Sequence, residues 1–297
     1  MDYTPQIVKR LLYSIFLLML VLLPATAQVK RALLVGISNY EQVDENSWGV
    51  IHGTNDVDLL TPTLKKQGFR VTSIRNQVAT AKKIRHEINK LIESSHSGDI
   101  VYLLFSCHGQ PFEDLNGDED DGWDESLIPF DAKKVFQKGV YEGENHITDD
   151  ELNGYLKSLR SKLGPKGFVY VVVDACHAGS SYRGDEEEDS VIIRGTDKGF
   201  STSNKLYAPR INKRGRIKVE KSADLADICI IEACRSYQVN SEIKEKGIYY
   251  GSLSFYVNKT LQSTKLNNDI SWVEHVVQLM NMDKRLIRQN AVVETSL

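Results

Sequence analysis

The sequence has few of the features that mark several common protein classes. It contains only four cysteines in 297 residues, too few for a disulfide-stabilised scaffold, and no C-x-x-C pair of the kind found in structural zinc sites. The net charge is −3 and no basic stripe is present, which argues against a nucleic-acid partner. The composition is otherwise ordinary for a globular protein, with 41% hydrophobic and 26% charged residues.

Residues 1–27 have the pattern of a secretory signal peptide. Lys9 and Arg10 precede an uncharged apolar run, and Ala25 and Ala27 occupy the small-residue positions before a cleavage point. The apolar run is shorter than the roughly 20 residues that span a bilayer; an uncleaved membrane anchor is the alternative. No cysteine follows the cleavage point, so we expect no lipid anchor. The pattern predicts an exported protein, periplasmic or secreted, without stable membrane insertion.

Predicted strands and helices alternate along the rest of the chain. Strands are predicted at 30–38, 69–74, 99–109, 167–179 and 226–236. Helices are predicted at 54–68, 80–95, 147–161, 252–264 and 271–289. Thr80 is a candidate helix cap, and Thr148 with Glu151 forms a capping-box pattern. Because most of the strands are apolar throughout, we predict an α/β fold with a mostly parallel central sheet and helices on both faces.

Two segments interrupt this alternation. Residues 110–146 hold an acidic loop, and residues 180–225 hold a DEEED run followed by a stretch rich in small and basic residues. A loop of about 45 residues within a domain is usually functional or disordered. We therefore expect a large part at 28–182, a flexible linker at 183–225 and a smaller part at 226–297.

Two predicted strands end in a Cys-His pair followed closely by glycine, in SCHG (106–109) and DACHAG (174–179). Because sites in parallel sheets form at the carboxyl ends of the strands, His108 and Cys176 are expected at one edge. A histidine near a thiol can take its proton or stabilise the thiolate. The glycines let the backbone turn so that amide N–H groups can face a developing oxyanion. A packed thiol and a loop histidine are the plainer interpretation of each residue alone, but the pair together favours catalysis.

A zinc site is a second alternative for these residues, with Cys107, His108, Cys176 and His177 as ligands. Adjacent residues on a strand point to opposite faces, so both members of one pair reach a single metal with difficulty. We therefore disfavour zinc.

Several motifs together resemble a known family. SCHGQ (106–110), DLNGDEDDGWDESLIPFD (114–131) and VVVDACHAGSS (171–181) resemble the caspase-type cysteine peptidases and, within them, the metacaspases. KRALLVGISNY, HGTNDVDLL and EACRSYQ are similar to further blocks of that family, in the family's order. The resemblance spans about residues 30–266 and implies a caspase-like sandwich.

The resemblance also implies the chemistry. His108 would be the general base or imidazolium partner, and Cys176 the nucleophile. The backbone N–H groups of Gly109 and Cys176 would hold the oxyanion. The implied reaction is peptide-bond hydrolysis through an acyl-enzyme.

Charge and the resemblance together suggest which bond is cut. Asp174 lies two residues before the nucleophile, at a family position that lines a pocket for arginine or lysine; a structural acid that caps nearby amides is the alternative. Asp56 and Ser106 match further pocket positions. Two carboxylates suit a guanidinium through charge-assisted hydrogen bonds. A pocket cysteine of the family falls at Gly53, so the pocket wall is altered. We expect a peptide or protein substrate with Arg or Lys before the scissile bond.

The acidic loop contains eight carboxylates among residues 113–125. It is not an EF-hand, because Glu119 stands where that motif requires glycine. An exposed acidic loop is the plain alternative. The resemblance implies a calcium site instead, with these ligands: Asp124, Asp149 and Asp150. Its fourth family position holds Arg183, near which Asp185 could substitute. No organic cofactor is expected.

The linker offers basic residues at which an enzyme of this specificity could cleave itself. The candidates are Arg183, Arg194, Lys198, Lys205 and Arg210. A solvated charged loop is the alternative.

Two further alternatives concern function: a catalytically silent caspase-like scaffold, and a cysteine peptidase of the gingipain or clostripain kind. We expect a monomer.

Overall fold

A computed structural model describes residues 28–42, 44–176, 191–196, 198–208, 216–219 and 221–297. The strands are β1 (Lys30–Gly36), β2 (Phe69–Arg75), β3 (Ile100–Ser106), β4 (His108–Glu113), β5 (Trp123–Ile128), β6 (Ile147–Thr148), β7 (Phe168–Asp174), β8 (Arg216–Lys218), β9 (Asp227–Glu232), β10 (Glu242–Glu245), β11 (Ile248–Gly251) and β12 (Val292–Thr295). The helices are α1 (Gly53–Lys66), α2 (Ala81–Ser94), α3 (Asp149–Leu163), α4 (Ser252–Leu261) and α5 (Ser271–Met282).

The central sheet has seven strands in the order β2-β1-β3-β7-β9-β12-β8. β1, β2, β3, β7 and β9 run parallel to one another, β12 is antiparallel to β9, and β8 is parallel to β12. This confirms the predicted mostly parallel sheet. The carboxyl ends of β3 and β7 are neighbours, with Ser106 opposite Asp174. The two Cys-His motifs therefore begin at adjacent points of one sheet edge.

Helices cover both faces of this sheet, as predicted. α2 and α3 pack on one face, where apolar side chains such as Ile84, Ile88 and Leu159 are buried. α1, α4 and α5 pack on the other face, with Leu60, Val257 and other apolar side chains in the core. Every residue of β3 and β7 is buried, which explains why these strands are apolar throughout.

Helix capping follows the sequence, with one change. Thr80 caps α2 and Thr148 caps α3, each side chain accepting the backbone N–H three residues later. The carboxylate of Glu151 forms an ion pair with Arg85, 2.7 Å from its Nε, in place of the reciprocal bond of a capping box. The pair ties α3 to α2.

Several predictions of secondary structure were wrong. The strand predicted at 99–109 breaks at Cys107, after which β4 leaves the central sheet and pairs with β5. A second sheet has the order β4-β5-β6. The region predicted as an acidic loop therefore contains strands. The helix predicted at 271–289 ends at Met282, because the side chain of Asp283 caps a separate 3-10 turn. The β10–β11 hairpin was missed, since its strands are short.

The segment predicted as a flexible linker packs onto the fold where it is described. Phe200 is fully buried and stacks on Phe112, with ring centroids 5.1 Å apart. Its N–H donates to Pro111 O, and its carbonyl accepts from Glu113 N. An aromatic anchor with its backbone groups paired holds this part of the linker in place. Residues 183–190 lie outside the described residues.

The predicted signal peptide at residues 1–27 also lies outside the described residues. Among the helices of the described ranges, none combines the length and the apolarity needed to cross a membrane.

Gly53, the first residue of α1, packs directly against the edge where the predicted site lies. A Cβ at this position would overlap the carbonyl oxygen of Ser106 and the backbone of Ile37. The family's pocket cysteine therefore has no room here, and the wall of the cleft is backbone.

We predict that Gly53→Ala lowers the free energy of unfolding by about 2 kcal/mol, because α1 must move away from β1 and β3. Urea unfolding measures this. Gly154→Ala is the matched control, since Gly154 is exposed within α3 with open space around it; it should stabilise by roughly 0.5–1 kcal/mol. Equal effects of the two substitutions would contradict the close packing.

Candidate active site

His108 follows β3 and is held by aromatic rings. It is 4% exposed, and its ring stacks on Trp48 with centroids 5.0 Å apart and lies 5.2 Å from Tyr40. Its Nε2 lies 2.9 Å from the carbonyl oxygen of Gly49. Because a carbonyl can only accept, Nε2 carries the proton. Nδ1 is buried without a hydrogen-bond partner among the described residues, so its lone pair is unused.

The charge state of His108 follows from this enclosure. Burial lowers its pKa from 6.5 to about 3, with the charges of Lys134 and Arg194 adding to the lowering against the Gly49 hydrogen bond. The ring is therefore neutral at physiological pH. A neutral ring with a free Nδ1 lone pair can accept a proton from a thiol.

Cys176 lies two residues after the end of β7 and is fully buried. Its thiol donates to the carbonyl oxygen of Gln238, 2.8 Å away. The thiol of Cys234, which follows β9, lies 3.2 Å from Cys176 Sγ. That hydrogen bond, with burial, raises the pKa of the Cys234 thiol well above its usual value. No motif in the sequence had indicated that Cys234 neighbours Cys176.

Cys107 and His177 are the remaining members of the two Cys-His pairs. Cys107 is buried in the core beside apolar side chains, and burial raises its pKa to about 12. His177 lies outside the described residues.

The two strand ends converge on one oxygen atom. The N–H of Gly109 and the N–H of Cys176 both donate to the carbonyl oxygen of Arg194, at 3.2 Å and 3.0 Å. These are the two backbone donors that the sequence predicted for an oxyanion. In this structure they hold a carbonyl group of the chain itself.

The backbone around Arg194 lies along the chain that leads into β10. Arg194 N–H donates to Asn240 O at 3.0 Å, and Glu242 N–H donates to Ile192 O at 2.9 Å. Ile193 and Ser241 form an antiparallel bridge between these bonds. Residues 191–196 thus pair with the chain before β10 through one isolated bridge and its flanking hydrogen bonds, as an extended peptide does when it binds at a strand edge.

The guanidinium of Arg194 is fully buried among acidic side chains. Its Nη1 lies 2.8 Å from Asp56 Oδ2, 2.7 Å from Ser106 Oγ and 3.5 Å from Asp174 Oδ1. Its Nε and Nη2 donate to Glu242 Oε1 at 3.0 Å and 2.9 Å. The structure brings together Asp56, Ser106 and Asp174, as the sequence predicted. Glu242 was missed.

Backbone and amide groups hold two of these carboxylates in place. Asp174 accepts from Asn240 Nδ2 and from the N–H of Ser254 in the first turn of α4, both at 2.7 Å. Asp56 accepts the N–H of Gly251 at 2.9 Å. A Cβ on Gly251 would overlap Asp174 and the guanidinium, so glycine forms this wall. Asp174 is thus both a helix-capping acid and a wall of the cleft.

Charges in this cluster oppose one another. Burial raises the pKa of Asp56 to about 7, with Asp174 and Glu242 adding to the rise and Arg194 opposing it. Burial by itself would lower the pKa of Arg194, but the surrounding carboxylates hold it above its ordinary value. The cleft therefore carries more negative than positive charge and favours a cation.

The other basic candidates of the linker differ from Arg194. Lys198 and Lys205 are exposed, and Lys205 Nζ donates to Gly122 O at 2.7 Å. Arg183 and Arg210 lie outside the described residues. Among the candidates that are described, Arg194 alone is buried against the acidic cleft.

A second acidic cluster lies in the turn between β4 and β5 and at the start of β5. Ligand atoms of Asp114, Asp118 and Asp124 lie within 4.8 Å of one another. Asp124 Oδ1 and Asp149 Oδ1 are buried without hydrogen-bond partners in the described part of the chain. Asp149 and Asp150 are the first residues of α3. The start of α3 therefore carries the other two predicted calcium ligands to this cluster.

Like charges repel in this cluster. Burial raises the pKa of Asp124 to about 6 and that of Asp149 to about 7, and the neighbouring carboxylates add to both shifts. Asp150 Oδ2 accepts from Asn116 Nδ2 at 2.6 Å. Orphaned carboxylate oxygens beside other carboxylates fit a hard cation such as Ca²⁺. Asp185 lies outside the described residues.

Comparison with known proteins agrees with this architecture. The caspase-domain profile matches residues 29–290. The chain belongs to the caspase-domain family. Metacaspase-1 of Eremothecium gossypii is 24% identical over 83% of this chain and 60% of its own length. The chain spans 60% of the length of this relative and 51% of that of Arabidopsis thaliana metacaspase-3.

Solved structures show the same fold. A Geobacter sulfurreducens protein superposes with a TM-score of 0.60 at 19% identity, covering 90% of this chain and 93% of that one. Caspase-1 of Spodoptera frugiperda gives a TM-score of 0.50 at 17% identity, covering 90% and 88%. The predicted caspase-like sandwich is thereby confirmed.

We predict that His108 of this caspase-domain protein stays neutral, with its proton on Nε2, from pH 8 down to about pH 4. Nitrogen-15 NMR of the Cys176→Ala protein measures this, with His108→Gln identifying the resonance. Because the folded pKa of about 3 lies below 6.5, the unfolded chain binds the proton more readily. Stability is therefore lost as pH falls from about 6.5 towards 3. A His108 resonance that titrates near pH 6.5 would contradict the enclosure.

Proposed function

We propose that the protein is an exported cysteine endopeptidase that cleaves after Arg or Lys, cuts its own chain after Arg194 and is activated by calcium. One observation carries the proposal: Arg194 lies in the acidic cleft while its carbonyl oxygen accepts from Gly109 N–H and Cys176 N–H. The carbonyl group of Arg194 is thereby held by the backbone of the candidate nucleophile and of the residue that follows the candidate base. The contacts of its side chain with Asp56 and Asp174 support a preference for a basic residue before the scissile bond.

In the proposed reaction, Cys176 Sγ attacks the carbonyl carbon of the residue held in the cleft. Nδ1 of His108, whose Nε2–H is fixed on Gly49 O, takes the thiol proton and delivers it to the leaving amine. The C–N bond breaks and a thioester to Cys176 remains. The N–H groups of Gly109 and Cys176 stabilise the oxyanion. Water then gives a proton to His108 and attacks the thioester carbon; the C–S bond breaks, the acid is released, and the proton passes from His108 to the sulfur of Cys176.

Asp56, Ser106 and Asp174 are proposed to form the pocket for the basic side chain. Each has an oxygen atom within 3.5 Å of Nη1 of Arg194. Buried carboxylates without a counter-ion are costly, so an empty pocket would favour any chain that offers a cation. A Lys ammonium can reach the same acids as the Arg guanidinium.

Arg194 is proposed as the processing site among the five candidates. While the chain is intact, the segment 191–196 fills both the pocket and the oxyanion donors, and an external substrate cannot enter. Cleavage between Arg194 and Gly195 cuts the loop that holds this segment. The segment can then leave, which would activate the enzyme.

Asp124, Asp149 and Asp150 are proposed as calcium ligands, joined by Asp114 and Asp118. The fit rests on the two buried, unpartnered oxygens of Asp124 and Asp149. A bound divalent cation would relieve the repulsion that raises both of their pKa values. Asp185 stays a candidate.

Export and a monomeric state complete the proposal. Export rests on the signal-peptide pattern of residues 1–27. In caspases an edge strand of the small part forms the dimer. Here β12 is covered by β8 on one side and β9 on the other, which supports a monomer.

We predict that the wild-type protein yields fragments that end at Arg194 and begin at Gly195. The Cys176→Ala protein should cleave at least about 10⁴-fold more slowly, since the nucleophile is absent. Intact-mass spectrometry with mapping of the new termini measures both.

Arg194→Gln should abolish this cut, because a neutral amide leaves the buried carboxylates unpaired. Lys198→Gln, an exposed neighbour, is the matched control and should leave the Arg194 cut unchanged. Cleavage after Lys198 or Lys205 in place of Arg194 would contradict the assignment of the site.

We predict that Ca²⁺ at about 100 times its Kd stabilises the Cys176→Ala protein by about 2.7 kcal/mol, a rise in Tm of roughly 5–10 °C. Asp124→Asn in the same background should lose most of this shift. Asp120→Asn, an exposed acid outside the cluster, should keep it. A shift that survives Asp124→Asn would place the ion elsewhere.

A further inference from the structure

Glu242 makes more contacts with the segment in the cleft than any acid that the sequence predicted. Its Oε1 accepts from both Nε and Nη2 of Arg194, and its backbone N–H binds Ile192 O. Glu242 is buried at the start of β10. It therefore holds the basic side chain and the backbone two residues before it.

His52 fixes the position of this carboxylate. The N–H of His52 donates to Glu242 Oε1 at 2.7 Å, and its Nδ1 lies 2.5 Å from Glu242 Oε2. The ring of His52 stacks on Tyr249, with centroids 5.0 Å apart. Glu242 is thus oriented before a substrate arrives, because these contacts do not involve the segment.

Different side chains of the cleft contact different nitrogen atoms of the Arg194 guanidinium. Asp56, Ser106 and Asp174 surround Nη1 at the deep end, whereas Glu242 takes Nε and Nη2 along the side. A lysine has one nitrogen at the tip of an alkyl chain. If its ammonium reaches the deep acids, its methylene groups face the Oε1 of Glu242, which then loses two charge-assisted hydrogen bonds.

We propose that Glu242 is a specificity-determining residue that makes the pocket select arginine over lysine. The inference rests on the proposed peptidase function and narrows its substrate class from basic residues to arginine. A buried acceptor that loses hydrogen bonds with the wrong substrate is a strong source of discrimination in a pocket. Since His52 still pairs with Glu242 in the lysine complex, we expect a preference of about 10- to 100-fold.

The test uses two fluorogenic peptides that differ in one residue, Ile-Ile-Arg and Ile-Ile-Lys, each with an aminocoumarin leaving group. Their first two residues copy Ile192 and Ile193. Wild-type protein, after self-cleavage is complete, should show kcat/KM for the Arg peptide at least about tenfold above that for the Lys peptide. Glu242→Gln should reduce kcat/KM for the Arg peptide about tenfold or more, mainly through KM. The Lys value should change less than about threefold.

The control is Glu245→Gln at the other end of β10, where Glu245 pairs with Arg285 at the surface; it should keep the wild-type ratio. Equal cleavage of the two peptides by wild type, or an equal fall for both in Glu242→Gln, would overturn the inference. Failure of the proposed function looks different: wild type would cleave neither peptide, or Cys176→Ala would cleave both.

A binding measurement tests the inference without turnover. It also serves if the Glu242→Gln protein folds poorly. Fluorescence polarisation with labelled Ile-Ile-Arg and Ile-Ile-Lys on the Cys176→Ala/Arg194→Ala protein reports the pocket alone. We expect at least about tenfold tighter binding of the Arg peptide. Equal affinities would contradict a selecting role for Glu242.

Discussion

The enclosure of one guanidinium by carboxylates is the interaction on which this structure depends. A fully buried charge is tolerated only when it is paired and hydrogen-bonded. The partners of Arg194 come from four elements: Asp56 from α1, Ser106 from β3, Asp174 from β7 and Glu242 from β10. The large and small parts of the chain are therefore held in register around a single side chain, and an incoming substrate would have to replace it.

The segment that carries Arg194 continues towards the second acidic cluster. Glu113 accepts from Ser201 and from the N–H groups of Thr202 and Ser203. Glu113 ends β4, which pairs with β5, the strand that bears Asp124. A cation held by Asp124 would act on the strands that anchor the chain beyond the cut. This connects the proposed metal site to the proposed processing site through packed backbone.

Local patterns predicted much of this arrangement. Apolar strands predicted the parallel sheet, Thr80 and Thr148 marked helix starts, and two strand ends located His108 and Cys176. These succeed because burial on two faces and the capping of helix ends leave direct traces in the sequence. The break after β3 at Cys107 left no such trace, since the residues on both sides of it are buried.

Contacts between distant segments could not be predicted in this way. Glu242 lies on a four-residue strand with no clear periodicity, and only the path of the chain brings it to Arg194, 48 residues away. Arg194 itself is one basic residue among several in the linker. Its burial depends on Asn240 and on the backbone donors at Gly109 and Cys176, which the sequence of the linker does not contain.

The central claim is that the intact chain occupies its own substrate site through Arg194. The most direct test is the affinity of a labelled Ile-Ile-Arg peptide, measured by fluorescence polarisation, for the Cys176→Ala protein and for Cys176→Ala/Arg194→Ala. Because a filled site reduces apparent affinity in proportion to its occupancy, we predict at least about tenfold tighter binding to the double variant. Equal affinity for the two proteins would contradict the claim.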